Sequence, residues 1–271
     1  MMHHPRRWAV RLALLLLPWL APPVQAMEVS SVAAASSLQF VFPELVAAYR
    51  DETGNDVRVN FGASGNLSRQ ILQHAPYELF LSADEANVRV LEEAGLTEGA
   101  GRVYAVGRLV WLQARGRGAL PPSDEPLAAV RQALAVFEDG EGRPRLALAN
   151  PEHAPYGVAA RQALSHAGLW ASTARLRVLG ENVSQAARFA LADEARGGLV
   201  AYSLALAPTV VEQAEHVLIP ADWHAPLVQR MALIDGAGEG ARAFHAWLQG
   251  EQARSILERR GFQPPPRDDA S

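Results

Sequence analysis

The chain has 271 residues, of which 49% are hydrophobic and 20% charged, as in a globular protein and unlike a disordered, collagen-like or integral membrane protein. Its 25 basic residues are all arginine and stand against 29 acidic ones, and the net charge of -4 argues against a nucleic-acid partner. The sequence contains no cysteine, which excludes disulfides, thiolate metal sites and cysteine nucleophiles.

Residues 1–26 have the pattern of a secretory signal peptide. Paired arginines precede an apolar run over 8–20, and Val24-Gln25-Ala26 supplies the small residues that signal peptidase accepts. A transmembrane anchor is the alternative, but residues 12–24 are too few for a bilayer span, which needs about 20 apolar residues. We therefore predict cleavage after Ala26 and a protein that is free in the periplasm.

The remaining chain alternates short apolar runs with helical patterns, the order typical of an α/β protein with largely parallel sheets. The predicted strands are Val29–Ala33, Val57–Phe61, Leu79–Ser82, Leu109–Gln113, Leu146–Ala149, Leu176–Leu179, Leu199–Tyr202 and Met231–Ile234. Apolar residues at helical spacing predict helices over Pro43–Asp51, Leu67–Gln73 and Val158–Ala167 and a pair of helices over Ala241–Arg260.

Four of these strands are followed by small or hydroxyl residues that we expect to lead directly into a helix. The segments are Ala33-Ala34-Ala35-Ser36-Ser37, Gly62-Ala63-Ser64-Gly65-Asn66, Pro155-Tyr156-Gly157 and Asn182-Val183-Ser184. The first amides of a helix have no partner inside it, and the helix dipole makes that end attractive to anions. Any one such serine or asparagine is commonly a plain helix cap. Four together, with no arginine in any of the turns, indicate an oxyanion site built from amides and hydroxyls.

The same segments carry a resemblance to a known family. Ala33–Ser36, Phe61–Ser64, Leu79–Asp84, Asn150–Gly157 and Gly180–Gln185 resemble, in order and spacing, the periplasmic molybdate-binding proteins of ABC transporters. The resemblance extends over residues 27–262. It implies an α/β, two-lobed type II periplasmic binding-protein fold, in which each lobe is a mixed, mostly parallel sheet flanked by helices and the ligand lies in the cleft between the lobes.

The resemblance also implies a domain organisation and partners. Lobe one is expected to comprise residues 27–106 and 225–271, and lobe two residues 107–224, with Leu109–Gln113 and the segment near Leu227 crossing between them. The expected function is to capture molybdate, and also tungstate, and to deliver it to a membrane permease. We expect a monomer without a cofactor.

Five residues match the family's ligands. Ser36 and Ser64 match its hydroxyl ligands, Tyr156 and Val183 match positions that give backbone amides, and Ser37 is expected to add its own amide. Molybdenum would be held only as the oxyanion, and no bare metal site is expected because no histidine pair has the spacing i, i+4. The Tyr156 side chain could instead be a cleft-wall aromatic whose hydroxyl faces water.

A tyrosine that serves as a ligand in some members of the family has no counterpart here. Its position at the end of the strand through Gly198–Val200 is Ala201, and the tyrosine stands one place later, where its side chain would point to the opposite face of a strand. Tyr202 is therefore not predicted to be a ligand.

Neutral donors suit a dianion for a reason that is independent of the family. A hydrogen bond to a charged acceptor contributes about 1.5 to 3 kcal/mol, so about five to eight of them can replace the hydration of the ion. A rigid ring of donors fits one oxygen–oxygen distance, whereas a fixed counter-charge would attract any anion. Such a site favours molybdate and tungstate over the smaller sulfate and does not separate the first two.

Two alternatives remain at this point. A secreted α/β hydrolase would use Ser64 as nucleophile, but the nucleophile elbow needs glycine two places after the serine, and that residue is Asn66. A hydrolase also needs a histidine base, and no histidine of the sequence has a pattern that nominates it. The protein could also bind another tetrahedral oxyanion, such as sulfate. We predict a binding protein that is not an enzyme and has no catalytic residues.

Overall fold

The computed structural model describes residues 29–265, which form two five-stranded sheets flanked by helices. The strands are β1 (Ser30–Ala35), β2 (Val57–Gly62), β3 (Leu79–Leu81), β4 (Arg102–Gly107), β5 (Leu109–Ala114), β6 (Arg145–Ala149), β7 (Arg177–Gly180), β8 (Ala195–Ala201), β9 (Ala214–Leu218) and β10 (Leu227–Leu233). The helices are α1 (Phe42–Thr53), α2 (Ser64–Leu72), α3 (Ala86–Glu93), α4 (Ala128–Glu138), α5 (Pro155–His166), α6 (Val183–Leu191), α7 (Tyr202–Ala205), α8 (Pro208–Val211), α9 (Glu239–Trp247) and α10 (Glu251–Arg259).

The two sheets have the same design. The strand order is β2-β1-β3-β10-β4 in the first sheet and β7-β6-β8-β5-β9 in the second. In each sheet three neighbouring strands are parallel, the fourth is antiparallel to both of its neighbours, and the fifth returns to the first direction. Four of five strands in each sheet therefore run the same way, and the predicted two-lobed fold with mixed, mostly parallel sheets is confirmed. We call the first sheet with its helices lobe one and the second lobe two.

The chain passes between the lobes twice. Arg108 alone separates β4 from β5, and residues 219–226 lead back from β9 to β10. The expectation that Leu109–Gln113 crosses was wrong, because β5 lies wholly in the second sheet, whereas the return does occur near Leu227, directly before β10. The lobe boundaries predicted at 106/107 and 224/225 fall beside these connections and stay a prediction.

Each sheet of the described chain is buried under apolar helix faces. In β1, Val32 and Ala34 point into one cluster of buried side chains and Ala33 into another, as the two-residue period of a strand requires. The cluster of lobe two includes the fully buried Trp111 and also Ala35 and other alanines of lobe one. The lobes therefore meet through small apolar side chains, which allow their backbones to come close.

The predicted signal peptide lies outside the described residues. Among the residues 29–265, no helix combines the length and the apolarity that crossing a bilayer demands.

Candidate functional site

A small cavity lies between the lobes, where β1, β2 and β3 end and where α5 and α6 begin. Its volume is about 10 Å³, far below the roughly 300 to 1,000 Å³ of pockets for organic ligands. The carboxyl ends of parallel strands are the usual place for a ligand in an α/β protein. The described residues that line the cavity are Ala35, Ser36, Ser37, Gly62, Ala63, Ser64, Ala83, Ala154, Pro155, Tyr156 and Val183.

The lining is uncharged and mostly apolar, with a few hydroxyl groups among small side chains. No arginine, histidine, aspartate or glutamate is among the described residues that form the cavity wall. Three serines supply hydroxyl groups, and the remaining side chains are alanine, glycine, proline, valine and tyrosine. A cation would find no carboxylate here, whereas an anion would find hydroxyl and amide donors.

All five residues predicted as ligands line this cavity. Ser36, Ser37 and Ser64 come from lobe one, and Tyr156 and Val183 come from lobe two. Their convergence on one cavity is a property of the structure, whereas their roles as ligands stay a prediction.

Ser64 is held so that its hydroxyl proton is free. It is the first residue of α2, and its Oγ accepts the backbone N–H of Ala83 at 2.9 Å. The N-cap of this helix is Ala63, which has no capping side chain. Ser64 is therefore not a plain helix cap, and an acceptor placed in the cavity can take its proton.

The turn after β1 differs from its predicted form. Ser36–Leu38 form one 3-10 turn and α1 begins only at Phe42, so the strand does not lead directly into a regular helix. Ser36 Oγ accepts the backbone N–H of Ser184 from lobe two at 3.4 Å. Ser37 is 1% exposed, and its Oγ has no hydrogen-bond partner in the part of the chain that the structure describes. Both hydroxyl groups therefore keep a proton to donate.

Lobe two contributes two helix N-termini. Tyr156 and Val183 lie in the first turns of α5 and α6, where the backbone N–H groups have no acceptor within their own helix. The dipoles of these helices place partial positive charge at the cavity without a cationic side chain. Asn182 caps α6 by accepting the N–H of Gln185 at 3.0 Å, so the capping interpretation holds for this residue.

The Tyr156 hydroxyl does not face water. Tyr156 is 2% exposed, and its Oη accepts a hydrogen bond from Nε2 of the buried Gln229 at 3.1 Å. The water-facing alternative was therefore wrong, because the ring extends from the cavity into lobe one. Burial raises the pKa of the Tyr156 hydroxyl well above its usual value, an effect that the Gln229 side chain and the nearby Ser37 hydroxyl oppose, so the group stays neutral at physiological pH.

Tyr202, which was not predicted to be a ligand, and the histidine that lies nearest in sequence to Tyr156, His153, are both outside the cavity wall. Tyr202 begins α7 and packs against the ring of His216, with 5.2 Å between the ring centroids. His153 hydrogen-bonds the Glu181 carbonyl through Nε2 at 2.9 Å, and its own carbonyl accepts the N–H of Gly65 at 2.9 Å. No described histidine is therefore placed to act as a base for Ser64.

Sequence reasoning missed the contacts that join the lobes around the cavity. Asn66 donates to the Glu181 carboxylate, and Ser184 donates to the Gln39 side chain. Gln229 joins β10 to Tyr156. The only signal in the sequence was Gln229, a polar residue within an apolar strand, and a polar residue there does not identify its partner.

Comparison with known proteins places the chain among binding proteins. Residues 31–263 match the family described as bacterial extracellular solute-binding protein. The molybdate-binding protein ModA of Rhodobacter capsulatus is 32% identical over 256 residues, which cover 92% of this chain and 94% of that protein. The molybdate-binding protein ModA of Azotobacter vinelandii is 30% identical over 246 residues, which cover 90% of this chain and 92% of that protein.

The fold has a close counterpart among solved structures. The periplasmic molybdate-binding protein of Azotobacter vinelandii superposes with a TM-score of 0.76 at 28% sequence identity, and the match covers 88% of this chain and all of that one. The resemblance found in the sequence is thereby confirmed.

Proposed function

Because the chain belongs to the bacterial extracellular solute-binding proteins, we propose that it captures molybdate and delivers it to the membrane permease of an ABC importer. The observation that carries this proposal is the small uncharged cavity, which is lined by three serines from lobe one and two helix N-termini from lobe two. Relatives at 32% and 30% identity are named molybdate-binding proteins, and the chain covers more than nine-tenths of each.

Five residues would hold the ion. The Ser36 and Ser64 hydroxyls donate from lobe one together with the Ser37 amide, and the Tyr156 and Val183 amides donate from lobe two. Two observations support these roles. All five residues line one cavity, and the Ser64 Oγ accepts the Ala83 N–H, so that its own proton is free for another acceptor.

Selection among anions would rest on size. A hydrogen bond to a charged oxygen contributes about 1.5 to 3 kcal/mol, so a full set of donors offsets the lost hydration only if each donor reaches an oxygen. Sulfate is smaller than molybdate and would leave donors on one lobe out of reach. Tungstate is close to molybdate in size, and we propose that it binds as well.

The proposal also covers the location of the protein, its oligomeric state and the absence of a cofactor and of catalysis. The N-terminal pattern and the periplasmic relative support a periplasmic location for the chain. We expect a monomer without cofactor or catalysis, and no observation favours the hydrolase or the sulfate-binding alternative. The Ser64 Oγ accepts from a backbone amide and has no described histidine beside it in the cavity.

Thermal unfolding with added salts tests the proposal. A ligand that binds only the folded state stabilises it by about 4 kcal/mol at a thousandfold excess over its dissociation constant. Molybdate and tungstate should therefore raise the Tm by several degrees, whereas sulfate and phosphate at equal ionic strength should leave it nearly unchanged. An equal rise with all four salts would contradict a size-selective site.

Binding should also be independent of pH over the physiological range. None of the described residues of the cavity wall titrates between about pH 6 and 9, since burial keeps Tyr156 neutral by raising its pKa. The preference for neutral Tyr156 stabilises the fold below the usual tyrosine pKa of about 10 and is lost as the pH rises further. Calorimetry should give one molybdate affinity from about pH 6 to 9, and a drop near pH 6.5 would reveal a histidine in the site.

A further inference from the structure

A buried polar cluster lies directly behind the cavity, at the junction of the lobes. Its members are Tyr104 on β4, Gln229 on β10 and Tyr156 on α5. Tyr104 donates to Oε1 of Gln229 at 2.8 Å, and Nε2 of Gln229 donates to Oη of Tyr156 at 3.1 Å. All three side chains are nearly inaccessible to solvent, so the cluster is a specific arrangement and not a solvated surface network.

The cluster connects the two halves of the site. Tyr104 and Gln229 belong to the sheet of lobe one, whereas Tyr156 contributes the predicted lobe-two amide at the cavity. The Tyr104 hydroxyl also lies 3.2 Å from the carbonyl oxygen of Ser82, the residue before Ala83, which donates to Ser64. Residues that position Ser64 and Tyr156 thus meet at one buried glutamine.

Two backbone features accompany the contact between Gln229 and Tyr156, a register shift in β10 and a glycine in β4. The pairing of β10 with β4 shifts register between Gln229 and Arg230, an irregularity that redirects side chains along a strand. Gly107, the last residue of β4 before the chain crosses to lobe two, lies beside the Tyr156 hydroxyl and the Gln229 side chain. A Cβ atom there would lie 2.2 Å from Oη of Tyr156 and 2.7 Å from Nε2 of Gln229. The Tyr156 hydroxyl therefore occupies space that only glycine leaves open.

We propose that Gln229 is a positioning residue that holds Tyr156. Together with Gly107, which leaves space for the Tyr156 hydroxyl, it fixes the distance between the lobe-two and the lobe-one donors of the site. The inference rests on the proposed function, because it assigns to that spacing the preference for molybdate over smaller oxyanions. Since a donor ring selects by distance, a looser contact at Tyr156 weakens the preference as well as the affinity.

Paired variants test the contact. Gln229→Leu and Tyr156→Phe each remove one end of the hydrogen bond and keep the Tyr156 amide. Each should lower molybdate affinity by about three- to tenfold, and each should lower the ratio of molybdate to sulfate affinity. The double variant should lose less affinity than the sum of the two single losses, because both variants remove the hydrogen bond between Gln229 and Tyr156. The measurement is calorimetric titration of the full protein with molybdate and with sulfate.

Gln113→Leu is the matched control. Gln113 is a fully buried glutamine on β5 whose hydrogen bonds, to Trp111 and Gly118 among others, stay within lobe two. Its replacement should lower the free energy of unfolding and leave molybdate affinity unchanged. Wild-type affinity in the Gln229 and Tyr156 variants, fully additive losses, or an equal loss in the control would each overturn the positioning role. Failure of the wild-type protein to bind molybdate would overturn the proposed function itself.

A suppressor pair provides a second test. Gly107→Ala should weaken molybdate binding by about tenfold or more, because the new methyl group displaces the Tyr156 hydroxyl. Adding Tyr156→Phe removes the atom that is 2.2 Å away and should recover part of the lost affinity, while the approach of 2.7 Å to Nε2 of Gln229 remains. A double variant that binds as weakly as Gly107→Ala would overturn the inference that Gly107 is needed to leave space for the Tyr156 hydroxyl.

Discussion

Replacing Ser64 or Ser36 with alanine is expected to weaken molybdate binding by about ten- to more than a hundredfold. Each hydroxyl lies in the cavity wall with its proton free, and a hydrogen bond to a charged oxygen contributes about 1.5 to 3 kcal/mol. Ser64→Ala should also lower the stability of the unliganded protein by about 1 kcal/mol or more, because the Ala83 amide loses its acceptor. Calorimetry measures the affinity, and denaturant titration without ligand measures the stability.

Ser68→Ala separates the two effects. Ser68 is buried one turn further along α2 and donates to the Asn87 carbonyl at 3.2 Å, but it does not line the cavity. Its replacement should lower stability and leave the affinity at the wild-type value. Wild-type affinity in both site variants, accompanied only by lowered stability, would leave Ser36 and Ser64 with a structural role and contradict the proposed site.

Val183→Pro is expected to reduce molybdate affinity by a similar factor without unfolding α6. Val183 is the first residue of the helix, the position at which proline is best tolerated, and Asn182 before it has the extended conformation (φ -147, ψ 174) that proline requires of its neighbour. The substitution removes the N–H predicted to donate to the ion, at an expected loss of about 1.5 to 3 kcal/mol of binding free energy. Circular dichroism should show an intact fold, and calorimetry should show the loss.

Glu239→Pro places the same substitution at the same helical position away from the cavity. Glu239 is the exposed first residue of α9, and Gly238 before it is extended (φ -73, ψ 171). This variant should bind molybdate as the wild type does. Equal affinity in both proline variants would show that the Val183 amide is not a ligand.

All six interior strands were predicted from the sequence, at least in part, whereas only two of the four edge strands, β2 and β7, were predicted. β5 and β6 lie within one residue of their predicted bounds because both are nearly continuous buried apolar runs. Two strands were missed, β4 and β9, and both are at an edge of their sheet. Edge strands are covered on fewer sides, so they tolerate residues such as Glu215 and His216 that hide the apolar pattern.

The beginning of β8 was missed for a different reason. Gly197 and Gly198 lower strand propensity, yet the fold needs them because a Cβ at Gly197 would lie 2.4 Å from the Trp111 ring and one at Gly198 would lie 2.5 Å from the Ala147 carbonyl oxygen. The close approach that selects glycine here is between strands far apart in the chain. No local pattern predicts it.

The residues around the cavity also divide into some that the sequence predicts and others that it does not. Ser64 and Val183 belong to local strand-to-helix turns whose residue types indicate an anion site, so the sequence was sufficient to predict them. Gln229 is 73 residues from Tyr156 in the chain, and its contact exists only because the two lobes meet. Turns with a local residue pattern can therefore be proposed as parts of a site from the sequence, whereas side-chain contacts across the cleft need the structure.

The most direct measurement of the central claim is a crystal structure of the protein grown with molybdate, with anomalous diffraction recorded at the molybdenum absorption edge. We predict one strong anomalous peak per chain in the cavity between the lobes, with the oxygens of the ion within hydrogen-bond distance of Ser36, Ser64 and the Val183 amide, and no arginine in contact with it. A peak at an arginine-rich surface, with the cavity holding no molybdenum, would contradict the proposal that neutral donors from both lobes bind the ion.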